Sequence, residues 1–72
     1  MIETSQLQTL VAVAKAKSFS RAAEDLHVTQ SAISQSIKNL EIKVGVKLFK
    51  RSGKKVVLTP EGEKLYGLGS NF

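Results

Sequence analysis

The sequence contains no cysteine and no tryptophan, and only one histidine and one proline among its 72 residues. Without cysteine, disulfides and thiolate metal sites are excluded. The single histidine, His27, also excludes a metal site built from several histidines. The sequence therefore indicates no metal ion and no cofactor, and a small apolar core has to hold the fold.

Long hydrophobic stretches are missing as well. The longest unbroken apolar run, Leu10 to Ala14, is far shorter than the roughly 20 residues of a membrane-spanning helix. The first residues, Met1-Ile2-Glu3, lack the basic and then apolar segments of a secretory signal. These features favour a cytoplasmic protein that binds no membrane, and the length predicts one small domain.

Acidic residues are few. Six Asp and Glu stand against eleven Lys and Arg, which gives a formal net charge of +5. A basic surface attracts polyanions, and nucleic acid is the commonest of these, although charge alone also fits a surface that is simply solvated. Residues 38–55 contain one acid, Glu41, and seven of the basic residues, namely Lys38, Lys43, Lys47, Lys50, Arg51, Lys54 and Lys55.

The spacing of apolar residues predicts three short helices. The first should end near Lys17. Ser20 is a suitable N-cap for a second helix that runs to about Leu26, and Thr29 is a suitable N-cap for a third. The first helix has one apolar face, formed by Leu7, Leu10, Val11 and Ala14.

The third helix, predicted at about residues 30–44, has two distinct faces. Its apolar stripe consists of Ile33, Ile37, Leu40 and Val44. Its polar face consists of Gln30, Ser31, Ser34, Gln35 and Lys38. Gly45 should end it in a left-handed conformation.

A change of pattern after Gly45 predicts a small basic hairpin, or wing, at about residues 48–58. Its strands are residues 48–51 and 55–58, and the turn Ser52-Gly53-Lys54 joins them. Thr59-Pro60 should begin a fourth helix, and Gly67 and Gly69 should end it early. The expected division is a domain at 1–58 followed by a truncated linker helix and tail at 59–72.

Together these elements predict a mainly α fold, a winged helix-turn-helix with a three-helix core, a two-stranded β wing and a short partial fourth helix. An α-helix fits the major groove of DNA, where glutamine and serine can bond base edges. From the pattern alone, the same polar face also suits an ordinary solvated helix. The expected core residues are Leu7, Leu10, Val11, Ala14, Phe19, Ala23, Leu26, Ile33, Ile37, Leu40, Val44, Leu48 and Phe49.

A resemblance to a known family narrows these alternatives. Residues 18–34, SFSRAAEDLHVTQSAIS, resemble the signature SFTRAAERLHVSQPALS of LysR-type transcriptional regulators. The similarity continues in register at Leu40-Glu41, Gly45-Val46, Leu48-Phe49 and Arg51, and from Val56 to Glu63. The resemblance implies a bacterial winged helix-turn-helix protein that binds promoter DNA in a sequence-specific manner and regulates transcription, with double-stranded DNA as its partner.

The resemblance also implies roles for individual residues. Gln30 and Ser34 match positions that contact bases or the adjacent backbone. Ser31 and Gln35 match variable positions that set the preferred sequence; proline is common at the first and arginine at the second. Thr29, Ser20 and Arg21 match positions that lie near phosphates. Arg51 and Lys54 match positions in the basic wing. Lys38 completes the expected DNA-binding set, and Lys17 stands where glycine is common.

In this family a long linker helix follows the wing, pairs two DNA-binding domains and leads to an effector-binding domain. No residues remain in this sequence for an effector-binding domain. The large apolar residues of the last segment are few: Leu65, Tyr66, Leu68 and Phe72. We therefore expect a monomer, or a weak homodimer through the partial fourth helix.

An enzyme is the least favoured class, because the sequence offers one histidine, no cysteine and acid pairs that suit solvated helix faces. No catalytic residue is predicted, and His27 fits a turn better than an acid-base role. The serious alternative is a protein-interaction module on the same scaffold. A folded chain that shifts no DNA in a gel would favour that alternative.

Overall fold

A computed structural model describes the backbone of residues 4–70 and the side chains of residues 5–67. The helices in this range are α1 (Thr4–Ala16), α2 (Phe19–Leu26), α3 (Gln30–Val44) and α4 (Pro60–Ser70). An antiparallel pair of strands, β1 (Phe49–Ser52) and β2 (Lys55–Leu58), lies between α3 and α4. The predicted winged helix-turn-helix architecture is therefore confirmed. No helix within the described range combines the length and hydropathy needed to cross a bilayer.

The connection between α1 and α2 depends on Lys17, which has a left-handed backbone (φ 56°). Its N–H donates to the Val13 carbonyl at 2.8 Å, and its own carbonyl accepts from the Val56 N–H in β2 at 3.1 Å. In the left-handed region the Cβ of lysine causes a steric clash that glycine, which has no Cβ, avoids. One residue thus reverses the chain after α1 and ties this turn to the wing.

The second helix begins earlier than the sequence suggested. Its N-cap is Ser18, whose hydroxyl oxygen accepts from the Arg21 N–H at 3.2 Å, so the prediction that Ser20 is the cap was wrong. Ser18 is extended (φ −160°, ψ 131°), as a cap should be. Because the chain has already turned at Lys17, Phe19 and Ser20 are helical, and the Ser20 side chain is available for other contacts.

The turn between α2 and α3 follows the prediction. His27 ends α2 with φ 59°, and the Val28 N–H donates to the Ala23 carbonyl at 3.0 Å. Thr29 then caps α3, since its hydroxyl oxygen accepts from the Ala32 N–H at 3.1 Å. At the other end of α3, Gly45 has φ 79° and closes the helix as predicted. His27 therefore has a structural place in the turn.

The core lies where the three helices and the hairpin meet. It is formed by Leu10, Val13, Ala22, Ala23, Ile33, Ile37, Leu40, Leu48, Phe49 and Val56. Several predicted core residues are only partly buried against it: Leu7, Ala14, Phe19 and Val44. The rings of Phe19 and Phe49 meet edge to face with centroids 6.3 Å apart, which joins α2 to the wing.

Two assignments at the edge of the core were wrong. Leu26 is 37% exposed, because it is the last residue of α2 and lies beside the turn. Val13 is fully buried, although the apolar stripe chosen for α1 did not include it, while Val11 is only half-buried. The buried face of α1 includes the polar residues Gln6 and Thr9. A face predicted from apolar residues alone was therefore rotated about the helix axis relative to the face that is buried.

The wing has a two-residue loop. Ser52 pairs with Lys55 and so belongs to the strand, not to the turn as predicted. The loop is Gly53-Lys54, and Gly53 has φ 64° whereas Lys54 has no positive φ. A positive φ at the first loop residue alone is the pattern of type II′ turns, in which glycine is preferred. This turn matches the right-handed twist of the two strands.

The fourth helix starts at Pro60 and is capped by Thr59, as predicted. The Thr59 hydroxyl accepts from the Gly62 N–H at 3.1 Å and donates to the Lys47 carbonyl at 2.6 Å. The expectation that Gly67 and Gly69 end the helix early was wrong, because α4 continues to Ser70. Each glycine costs only about 1 kcal/mol relative to alanine in a helix, which lowers helix stability without forcing an end.

Close packing at the start of α4 gives a testable consequence. A Cβ at Gly62 would collide with the backbone carbonyl oxygen of Leu48, which the flexible end of a side chain cannot relieve. We expect Gly62→Ala to lower the free energy of unfolding by about 2 kcal/mol. Gly67→Ala is the matched control, since its Cβ would meet nothing within 4 Å, and it should stabilise α4 by up to about 1 kcal/mol. Urea unfolding of both variants measures this, and a Gly62→Ala chain as stable as the parent would contradict the packing.

Candidate nucleic-acid interface

The polar face of α3 forms one continuous surface. The residues that line this shallow concavity are Gln30, Ser31, Ser34, Gln35 and Lys38. All are exposed except Ser34, which is half-buried. The structure therefore brings together five of the ten predicted DNA-binding residues on one face of a single helix. Their amides, hydroxyls and one ammonium group can donate to and accept from a polar ligand.

Two side-chain hydrogen bonds organise the glutamines of this surface. The Ser20 hydroxyl on α2 donates to the Gln30 carboxamide oxygen at 2.9 Å. The Gln35 amide nitrogen donates to the Asn39 carboxamide oxygen at 2.9 Å, one helical turn away. Ser20 is thus joined to the predicted surface through Gln30. Asn39 was not among the predicted residues, although its spacing of four residues from Gln35 was a visible signal.

A groove between α3 and the wing extends this surface. Ser34 and Lys38 line it from α3, and Lys50 and Arg51 line it from β1. Lys38, Lys50 and Arg51 form no salt bridge with any side chain in the described part of the protein. Three positive charges are therefore available to an anion along the groove. Arg51 was predicted to bind DNA, whereas Lys50 was identified only as one of the basic residues of the segment 38–55.

Other predicted residues lie apart from the groove. Arg21 lines a separate shallow surface with Lys15, Ser18 and Asp25. Lys54 is exposed in the wing loop, and Thr29 is exposed at the start of α3, where its oxygen is used as the cap. The hydroxyl proton of Thr29 is still able to donate to an anion.

The side chain of Glu41 holds the wing against α3. Its Oε2 accepts from the backbone N–H of Leu48 at 2.8 Å and of Phe49 at 3.4 Å. Its Oε1 lies 3.8 Å from the Lys47 ammonium, but Lys47 is 83% exposed, so this ion pair adds little. Sequence reasoning missed this role. The available signal was a lone acid within a basic segment, just before a stretch of backbone that has no helix or strand partners.

The arrangement offers polar and cationic groups. Within residues 5–67, no group of three His, Cys, Asp or Glu side chains is placed to hold a metal ion. Buried side-chain polar atoms in the same residues all have hydrogen-bond partners. The surface suits recognition of a polar, anionic macromolecule by hydrogen bonds and charge.

Comparisons of sequence agree with this geometry. The profile of the family described as "Bacterial regulatory helix-turn-helix protein, lysR family" matches residues 4–63. The RuBisCO operon transcriptional regulator of Allochromatium vinosum is 43% identical over 65 residues, which cover 90% of this chain and 22% of that protein. The HTH-type transcriptional regulator CfxR of Cupriavidus necator is 50% identical over 60 residues, 83% of this chain and 19% of that protein. The chain thus spans about a fifth of the length of these curated relatives.

Solved structures give the same result. A BenM_DBD/benA site 1 DNA complex superposes with a TM-score of 0.92 and 36% identity, over 97% of this chain and 79% of that chain. A CbnR_DBD–DNA complex superposes with a TM-score of 0.91 and 34% identity, over 97% of this chain and 80% of that chain. These matches identify a sequence-specific DNA-binding module for transcriptional regulation. With its winged fold, the polar face of α3 and a family match that covers most of its length, the chain belongs to the lysR family of bacterial regulatory helix-turn-helix proteins.

Proposed function

We propose that α3 enters the major groove of double-stranded DNA and that the wing lies along the backbone or minor groove beside it. The observation that carries this proposal is the continuity of the α3 polar surface with the cationic groove of the wing. The major groove, about 12 Å wide, admits an α-helix and displays a different pattern of donors and acceptors for each base pair. The lysR-family DNA complexes that superpose on this fold support the proposal.

In this arrangement the side chains divide into two groups. Base edges would be read by the N-terminal half of α3, from Gln30, Ser31, Ser34 and Gln35. Phosphates would be contacted by Arg21, Thr29, Lys38, Arg51 and Lys54, and by Ser20 when its hydroxyl proton turns from the Gln30 oxygen to the phosphate. Phosphate contacts fix position on the duplex and carry no sequence information, whereas base contacts specify the site. This division gives different expected effects for substitutions in the two groups.

The wing cations should contribute affinity without specificity. We expect Arg51→Ala and Lys54→Ala each to weaken binding about equally on all sequences, because each removes a charge that displaces counterions from the duplex. Each should also reduce the slope of log affinity against log salt by roughly one unit. Titrations of labelled duplexes at several salt concentrations measure both effects.

Lys64→Ala is the matched control, since Lys64 is exposed on α4, which packs on α1 and β2. This control should leave the salt slope unchanged. Affinity that does not vary with salt, or a wing substitution that affects only one DNA sequence, would contradict the proposed role of the wing. A folded chain that binds no duplex at all would favour a protein-interaction module instead.

Gln30 should contribute to sequence reading. We expect Gln30→Ala to cost about 1–3 kcal/mol on the preferred site and much less on random DNA, because a lost base contact affects only the site that made it. Gln8→Ala, at an exposed glutamine of α1, is the matched control and should change neither affinity. Equal losses on both DNAs would show that Gln30 only positions the backbone.

We also propose a cytoplasmic location, where promoter DNA is found, a boundary between the DNA-binding unit and the linker helix near residue 58, and at most weak homodimer formation through α4. Leu65 and Tyr66 pack against the protein's own core, which leaves less of α4 to contact a second subunit. The other apolar residues of this segment, Leu68 and Phe72, lie outside the described side chains. Stable interfaces usually bury about 800 Å² per partner.

Sedimentation of the 72-residue chain tests its self-association. At low micromolar concentration we expect a monomer or a weak dimer, and poor binding to an isolated half-site. Helix-turn-helix dimers bind half-sites spaced by about one DNA turn or a multiple of it, so chains with an extended α4 should bind a two-fold site tightly. A fully dimeric species of the 72-residue chain would show that α4, or another surface, suffices for pairing.

A further inference from the structure

The Gln35–Asn39 hydrogen bond lies on the recognition surface and not in the core. Both side chains are exposed, and they are one helical turn apart on α3. Gln35 lines the concavity that also contains Ser31 and Ser34. A contact of this type contributes little to the stability of a helix. Its position on the surface that we propose faces DNA suggests an effect on recognition.

The hydrogen bond restricts the rotation of the Gln35 carboxamide and leaves part of it for a ligand. The amide nitrogen has two protons, and one of them is donated to Asn39. One N–H and the carbonyl oxygen with both its lone pairs are left, so the side chain displays a donor beside an acceptor. In the major groove, adenine displays an acceptor at N7 beside a donor at N6. Guanine displays two acceptors there, and therefore matches only half of this pattern.

The other glutamine of the surface, Gln30, uses its oxygen and not its nitrogen in a hydrogen bond within the protein. The Gln30 carbonyl oxygen already accepts from the Ser20 hydroxyl, so one of its lone pairs is occupied. Between Gln30 and Ile37 the helix carries no Lys, Arg, Asp or Glu. The side chains that favour guanine or cytosine through charge are therefore missing from this half of α3. Gln35 is the group best arranged for a two-bond contact with adenine.

We propose that Asn39 is a positioning residue that orients the Gln35 carboxamide so that the protein selects adenine at one position of each half-site. The inference rests on the proposed function, because it requires the α3 surface to face base edges. It assigns a role to a residue that need not touch DNA itself. Asn39 acts by favouring one rotation of its neighbour before binding.

Selection from a pool of random DNA duplexes tests the proposal with the 72-residue chain, at a protein concentration high enough to populate its weak half-site complex. The parent protein should enrich a site in which one position is adenine, and Gln35→Ala should lose about tenfold of the preference for adenine over guanine at that position. Gln35→Arg should move the preference there to guanine, which arginine contacts with two hydrogen bonds. Asn39→Ala should reduce the adenine preference by about twofold, the size expected for one such pair on a helix.

Asn39→Asp separates positioning from a purely structural role. It keeps the oxygen that accepts from Gln35, so the adenine preference should persist, although the added carboxylate weakens binding to all duplexes. The melting temperature of each variant is measured in parallel. If Asn39→Ala lowers only the melting temperature, or if Gln35→Ala changes no base preference, the proposal is overturned while the proposed function stands. If the parent protein enriches no sequence, both are overturned.

Discussion

The Glu41 carboxylate holds together the two parts of the protein that would have to contact DNA at the same time. It extends from α3 and accepts from the backbone N–H groups of Leu48 and Phe49, the residues where the wing begins. Glu41 is only 14% exposed, and hydrogen bonds to a charged acceptor are stronger than those between neutral groups.

The remaining contacts around this segment reinforce the same geometry. The Leu48 carbonyl accepts from the Thr59 N–H at 3.0 Å, and Gly62 brings the first turn of α4 against that carbonyl. On the other side of the hairpin, the Val56 N–H donates a hydrogen bond to the Lys17 carbonyl. The wing is thus fixed to α3, to α4 and to the α1–α2 turn. A wing held in this way places Arg51 across the groove from Ser34 and Lys38.

Strong local signals allowed much of this fold to be predicted from the sequence. Thr29 and Gly45 bound a clear apolar stripe, so both ends of α3 were correct, and Gly53 identified the hairpin. Errors occurred where tertiary contacts decide between similar local choices. Two serines two positions apart could cap α2, and the left-handed turn at Lys17 favours Ser18. The family glycine that Lys17 replaces was noted, but its backbone conformation could be known only from the fold.

In the site, too, features set by local sequence were predicted and features set by tertiary contacts were not. The exposed face of α3 follows from helical periodicity, and all five of its predicted residues line one surface. Periodicity gives no information about pairs such as Ser20 with Gln30, because that bond joins two helices across the turn. The partners of Glu41 were equally hidden, since they are backbone groups, and its position as the lone acid of a basic segment does not identify them. Arg21 lies on a different surface from the groove, which a linear match to a family signature could not reveal.

If Glu41 holds the wing in place, α3 and the wing contact one duplex together as a single rigid surface. Amide NMR spectra of the labelled chain, recorded during titration with a selected duplex, test it most directly. The signals of residues 29–38 and 49–55 should shift together, with the same dependence on DNA concentration, while those on the outer face of α1 stay in place. Shifts in α3 without any in the wing, or shifts of the two regions at different DNA concentrations, would contradict it.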